Sequence, residues 1–158
     1  IIGLLGSALT AALVAGFEHR LAAHIAVAFF IPAIVYLADA VGTQTEAAVV
    51  RGLSFGPMPL GRLLAGEVAT GLLIGLALAI VALPLVGLAM GDWALASAVA
   101  LAVGVAASVA TACGLLLPWL LARFGADPAF GSGPVATVIQ DALSLLLYFA
   151  AVVLILPG

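Results

Sequence analysis

The chain has 158 residues, 66% of them hydrophobic, with seven acidic residues and four basic ones; its mean hydropathy is +1.43. A soluble domain is about a quarter charged, so this composition cannot cover a water-exposed surface. Four arginines cannot form a nucleic-acid-binding face, and one cysteine excludes a disulfide scaffold. What remains is an all-α polytopic membrane protein whose solvent is the lipid bilayer.

Residue 1 is Ile, and no basic stretch precedes the first apolar segment. The sequence therefore reads as a trimmed chain or a piece of a longer one, without a secretory signal. Five apolar blocks follow, each expected to be a transmembrane helix because spanning hydrocarbon takes about 20 residues. The first covers about 1–17, is short for a span, and stops at Glu18-His19-Arg20. The second covers about 24–50 and stops at Arg51-Gly52, before a loop with the turn chemistry Ser54-Phe55-Gly56-Pro57-Met58-Pro59. The third, 60–90, breaks at Gly91-Asp92; the fourth, 93–122, ends at Arg123 and the turn Gly125-Ala126-Asp127-Pro128; the fifth covers about 130–156. The blocks are too long and too evenly apolar for barrel strands.

Arginine sets the orientation. Arg51, Arg62 and Arg123 fall in loops on one side, against Arg20 on the other. The N-terminus is expected inside and the C-terminus outside, with Trp93 and Trp119 as interfacial anchors. Pro32, Pro84, Pro118 and Pro134 fall within spans, and the Gly71/Gly75 and Gly87/Gly91 pairs read as sites of close helix packing. Ser97, Gly104, Ser108 and Thr111 share one face of the fourth helix, again a packing pattern.

The expensive residues are the acids at depth, where a charge costs about 2.5–3.5 kcal/mol. Asp141 lies in a stripe of the fifth helix with Gly133, Thr137, Ser144 and Tyr148, beside Gln140. Asp39, Thr43 and Glu46 share a face of the second, beside Gly42 and Gln44. These are hard oxygen ligands, suited to a hydrated cation such as Mg²⁺. The alternative is that Asp39 and Asp141 are protonated or hydrogen-bonded across helices and serve assembly. Glu46 is expected near the end of its helix, paired with Arg51 or facing a pore. Glu67 is expected to pair with an arginine. His19 and His24 do not make H-E-x-x-H and read as interfacial; Cys113 reads as a buried packing residue. No nucleophile–base pair, phosphate loop or cofactor box is present, so no catalytic residue is assigned.

These residues together resemble the transmembrane domain of the MgtE-type magnesium channels and transporters. The resemblance rests on Phe30-Ile31-Pro32, Gly42-Thr43-Gln44 and Val49-Val50-Arg51-Gly52-Leu53 in the second block. It continues through Arg62, Glu67, Gly71 and Gly75 to Asp127-Pro128-Ala129, Ser132-Gly133-Pro134, Thr137, Asp141 and Tyr148-Phe149. It implies five helices, a prokaryotic inner-membrane location, and a homodimer whose pore is lined by the second and fifth helices. It further implies a hydrated Mg²⁺ held by Asp141, helped by carbonyls near Gly133, Thr137 and the Gly42-Thr43-Gln44 segment. Two departures stand out: Ala38-Asp39-Ala40 occupies a segment that is Gly-Gly-Asn in the family, and Ser144 replaces a Gly. The added carboxylate of Asp39 could widen selectivity toward Mn²⁺, Co²⁺ or other divalent cations. No segment resembles the family's cytosolic regulatory domains, so residues 1–158 are expected to form one transmembrane domain. Competing readings are a five-helix half of a secondary transporter, a non-conducting membrane subunit and, least supported, an intramembrane aspartyl enzyme.

Overall fold

The computed structural model describes residues 1–56, 59–129 and 132–157, without the side chains of Arg62 and Ser132. Six helices follow one another: α1 Ile2–Gly16, α2 Glu18–Ala23, α3 Ile25–Leu53, α4 Leu60–Met90, α5 Trp93–Arg123 and α6 Ser132–Ile155. No strand occurs among the described residues. Four of the helices, α3 to α6, are long and apolar enough to cross a membrane. At 15 residues α1 is apolar but reaches only about 22 Å at 1.5 Å per residue, less than a full hydrocarbon thickness.

Helix α5 is the centre of the bundle: 56% of its most apolar stretch is buried, against 17–39% for α3, α4 and α6. Its alanine-rich faces let three helices approach. Helix α4 packs along one side of it, α3 and α6 pack against it and against each other, and α1 lies on α6. The core joins Ala98, Ala102 and Ala106 of α5 to Val27 and Ile34 of α3 and to Tyr148, Phe149 and Val152 of α6. The outer face of α4 exposes Leu72, Leu73, Leu76, Ile80, Leu85 and Leu88. Only a lipid environment makes such a surface tolerable.

The connections follow from local chemistry. Helix α4 closes on Gly91 in the left-handed region (φ 67°), and Asp92 caps α5 by accepting from Leu95 N at 2.9 Å. Helix α5 ends with Gly125 at φ 74°, and Ala126 N donates to Leu121 O at 2.9 Å, a Schellman closure. At one end of the bundle three contacts gather the chain: Phe17 stacks on Phe149 (centroids 4.1 Å apart), Tyr148 Oη donates to Val27 O at 2.8 Å, and His24 Nε2 lies 3.1 Å from Pro157 O.

Some expectations shift. Helix α3 runs through Arg51-Gly52 to Leu53, because one interior glycine costs only about 1 kcal/mol; the stop comes at Gly56, φ 142°. Pro134 falls within the last span, in the first turn of α6, where its missing N–H has no helical partner to lose. Of the Gly87/Gly91 pair, Gly87 serves the close approach of two helices, making room on α4 for the Trp93 ring of α5, while Gly91 forms the turn between them. The expected loop residues Pro57 and Met58, and the expected start of the last helix at Phe130, lie outside the described residues.

Candidate functional site

The polar residues at membrane depth sort into three places. The first is the contact of α3 with α6. Asp39 of α3 and Asp141 of α6 are both half-buried on these two packed helices. Asp39 Oδ1 is buried and has no hydrogen-bond partner among the described residues. No arginine or histidine reaches either carboxylate among them. Thr43, one turn below Asp39, commits its hydroxyl proton to the Asp39 and Ala40 carbonyls at 2.8 and 3.2 Å. Thr137 lies one turn before Asp141 and is half-buried.

Beside this pair runs an open groove of about 550 Å³, walled by α1, α3 and α6. Asp141 lines it from α6, Pro32 and Val35 from α3, and Ser7 and Thr10 from α1. Helix α1 can sit here because Gly6 is buried against Val138: a Cβ on Gly6 would collide with that side chain. Pro32 has no N–H, so the Ala28 carbonyl lacks its usual helical donor.

The second place is the α3–α6–α5 crossing. Gly42 is buried against the Gln140 amide, and a Cβ there would overlap it. The Gly42 carbonyl in turn approaches Gly114 of α5 closely enough that only a glycine fits. Gln140 is 2% exposed, and neither of its amide atoms has a hydrogen-bond partner among the described residues. Ser144 is buried and donates back to Gln140 O at 2.6 Å. Glu46 is buried too, beside the first turn of α6, where a Cβ on Gly133 would lie 3.8 Å from Glu46 Oε1. Glu46 is therefore packed toward α6, while Arg51 is exposed.

The third place is a groove of about 410 Å³ between α3 and α4. Gln44 lies here with Glu67 and Thr70, on the other side of α3 from Asp39. Glu67 has no arginine partner among the described residues, and the Arg62 side chain lies outside them.

Of the seven residues that the sequence singles out as ion ligands, the structure brings Asp39 and Asp141 together, with Thr43 and Thr137 within a turn. It puts Gly42 into a helix crossing, Gly133 beside Glu46, and Gln44 in a separate groove. Sequence reasoning missed Ser7 and Thr10; the signal was available, since a spacing of three puts both hydroxyls on one face of an apolar helix. Among the described residues no three His, Cys, Asp or Glu side chains cluster as a metal cage. The polar groups on the α1–α3–α6 groove are the Asp141 carboxylate and the hydroxyls of Ser7 and Thr10, in an otherwise apolar lining.

Helices of membrane-spanning length and an apolar outer face define a helical integral membrane protein. The family described as "MgtE: Divalent cation transporter" matches residues 31–151. Relatives include the magnesium transporters MgtE of Enterococcus faecalis and Bacillus subtilis, each 34% identical over 89% of this chain, and that of Thermus thermophilus, 31% identical over all of it. The chain spans about a third of those relatives' lengths (32%, 32% and 36%). The chain belongs to the MgtE family of divalent cation transporters.

Proposed function

We propose that this chain forms the conducting membrane domain of a divalent cation transporter, with Mg²⁺ as its substrate and Mn²⁺ and Co²⁺ as further ions the same ligands would admit. In this reading residues 1–158 make one transmembrane domain in a prokaryotic plasma membrane. The chain crosses five times, α1 being the first crossing, with the N-terminus inside and the C-terminus outside. The bias of Arg51, Arg62 and Arg123 to one side supports that orientation. The contact of His24 with Pro157 O puts the start of α3 and the end of α6 at one end, which fits an even number of crossings between them. Two copies meet across the open side of the acidic groove, so that α3 and α6 of each line one pore and Asp141 is presented twice.

The observation that carries the reading is the pair Asp39–Asp141: two half-buried acids on the packed helices α3 and α6, with no basic partner among the described residues and one orphaned oxygen. A doubly charged ion offsets the cost of such acids in a membrane. Mg²⁺ sheds its water reluctantly, and the site offers two carboxylates rather than a cage. Contact through the hydration shell follows, weak enough for release. The carbonyls and hydroxyls near Thr43 and Thr137 orient that shell, and those near Gly133 meet the ion further along α6. A negative-inside potential drives the ion inward.

The test is Mg²⁺ flux into proteoliposomes under an imposed negative-inside potential, wild type against Asp141→Asn. The expected result is a loss of tenfold or more, since removing one charge at low dielectric is worth at least about 1.4 kcal/mol. Equal flux in the two proteins overturns the assignment of Asp141. Asp39→Asn is expected to lower flux less and to change the ratio of Mg²⁺ to Mn²⁺ transport.

A further inference from the structure

We propose that α1 completes the ion site: the hydroxyls of Ser7 and Thr10 form an acceptor wall opposite Asp141 that binds the waters of a hydrated divalent cation. The proposal rests on the cation-transport reading of Asp141 and adds a third helix to it.

The geometry begins with how α1 is held. Gly6 packs on Val138, one turn before Asp141, and Phe17 stacks on Phe149, two turns after it. Between these two contacts α1 is fixed in rotation, and the stripe Ser7–Thr10–Val14 is turned into the groove that Asp141 lines. Ser7 and Thr10 are the hydroxyl-bearing side chains on an otherwise apolar helix.

The hydrogen bonds decide the polarity of that wall. Ser7 Oγ donates to Gly3 O at 2.9 Å, and Thr10 Oγ1 donates to Ser7 O at 3.0 Å. A hydroxyl has one proton and two lone pairs. With both protons committed to backbone carbonyls, what these oxygens present to the groove is lone pairs. Thr43 is set in the same way on α3. Asp141 is an acceptor as well when ionised. A groove that offers only acceptors suits a ligand that offers only donors, and the outer face of a hydrated cation is such a ligand: every coordinated water points its hydrogens outward.

Size agrees. Mg²⁺ is octahedral, and six waters at about 30 Å³ of liquid volume each occupy roughly 180 Å³. The groove, at about 550 Å³, holds that shell intact with space to pass.

The test compares Mg²⁺ concentration dependence of flux for Thr10→Val, which keeps the shape and removes the oxygen, with Thr10→Ser, which keeps the oxygen. Ser7→Ala is added to Thr10→Val as the full removal. Thr10→Ser is expected to keep the wild-type half-saturating concentration. Thr10→Val should raise it about threefold, and the double variant up to about tenfold, the size of one or two net hydrogen bonds, with maximal flux at saturating Mg²⁺ retained. Unchanged half-saturation in the double variant, or equal shifts for Thr10→Val and Thr10→Ser, overturns the hydroxyl wall. Asp141→Asn in the same preparation separates the two proposals. If it abolishes flux while the α1 variants behave as wild type, the wall is wrong and the transport reading stands. If neither affects flux, or wild type carries none, both fall.

Discussion

Along the α4–α5 contact, Gly71 and Gly75 bring two helices so close that a Cβ at Gly75 would strike the Gly104 carbonyl, and one at Gly71 would strike Thr111. Ser108 crosses the contact, its hydroxyl 3.0 Å from Gly71 O and 2.8 Å from Gly104 O. Where α1, α3 and α6 meet, small residues are also present, yet the helices stand apart around a groove and the acids have no basic partner among the described residues. Both regions break the apolar monotony of the chain with Gly, Ser and Thr. In the first, the hydroxyls are satisfied by backbone carbonyls, Ser108 on both helices and Thr111 on its own, and the backbones touch. In the second, the carboxylates are left unanswered and the gap is wide enough for water. A small residue in a membrane helix thus marks close packing when its opposite number is also small, and a passage when its opposite number is charged.

The contrast can be broken at either side. The largest effect expected is on flux from Asp141→Asn, tenfold or more, with the thermal unfolding midpoint in detergent unchanged or raised because a buried acid has been removed. The mirror experiment is Gly75→Leu, which forces a side chain against backbone. It should destabilise by about 3 kcal/mol or more and appear as lost folded protein on size-exclusion chromatography rather than as altered ion dependence. Gly42→Ala tests the crossing between the two regions. The obstacle is the end of a flexible Gln140 side chain, so a loss of about 1–3 kcal/mol is expected, with recovery of the unfolding midpoint in Gly42→Ala/Gln140→Ala. Tyr148→Phe removes a buried hydrogen bond to Val27 O and should cost about 1 kcal/mol. Ser108→Ala is expected to be smallest, about 0.6 kcal/mol, the average for a hydrogen bond between membrane helices.

The helices were readable because apolar blocks of spanning length have few other outcomes, and their ends were readable from Gly91-Asp92 and Gly125. The packing of Gly71 and Gly75 on Gly104, Ser108 and Thr111 joins two patterns visible separately in the sequence. Asp39 and Asp141 were legible as costly residues, and the structure packs their two helices together. What a single helix pattern cannot carry is rotation relative to neighbours. Gln44 shares the second block with Asp39 but turns toward Glu67, and Gly42 serves a crossing, because the α3–α5–α6 contact fixes which side of α3 faces where. Ser7 and Thr10 acquire meaning only once Gly6 and Phe17 dock α1 on α6.

The order of contacts along the chain also fixes an order of assembly. Helices α4 and α5 are joined by the short turn Gly91-Asp92 and can close on each other as soon as both have been synthesised. The stacking of Phe17 on Phe149 and the packing of Gly6 on Val138 join the first helix to the last. They must wait for α6 to leave the ribosome. The α4–α5 hairpin can therefore form before α6 is made, whereas the groove lined by Asp141 cannot: until α6 has been synthesised, one of its walls is absent.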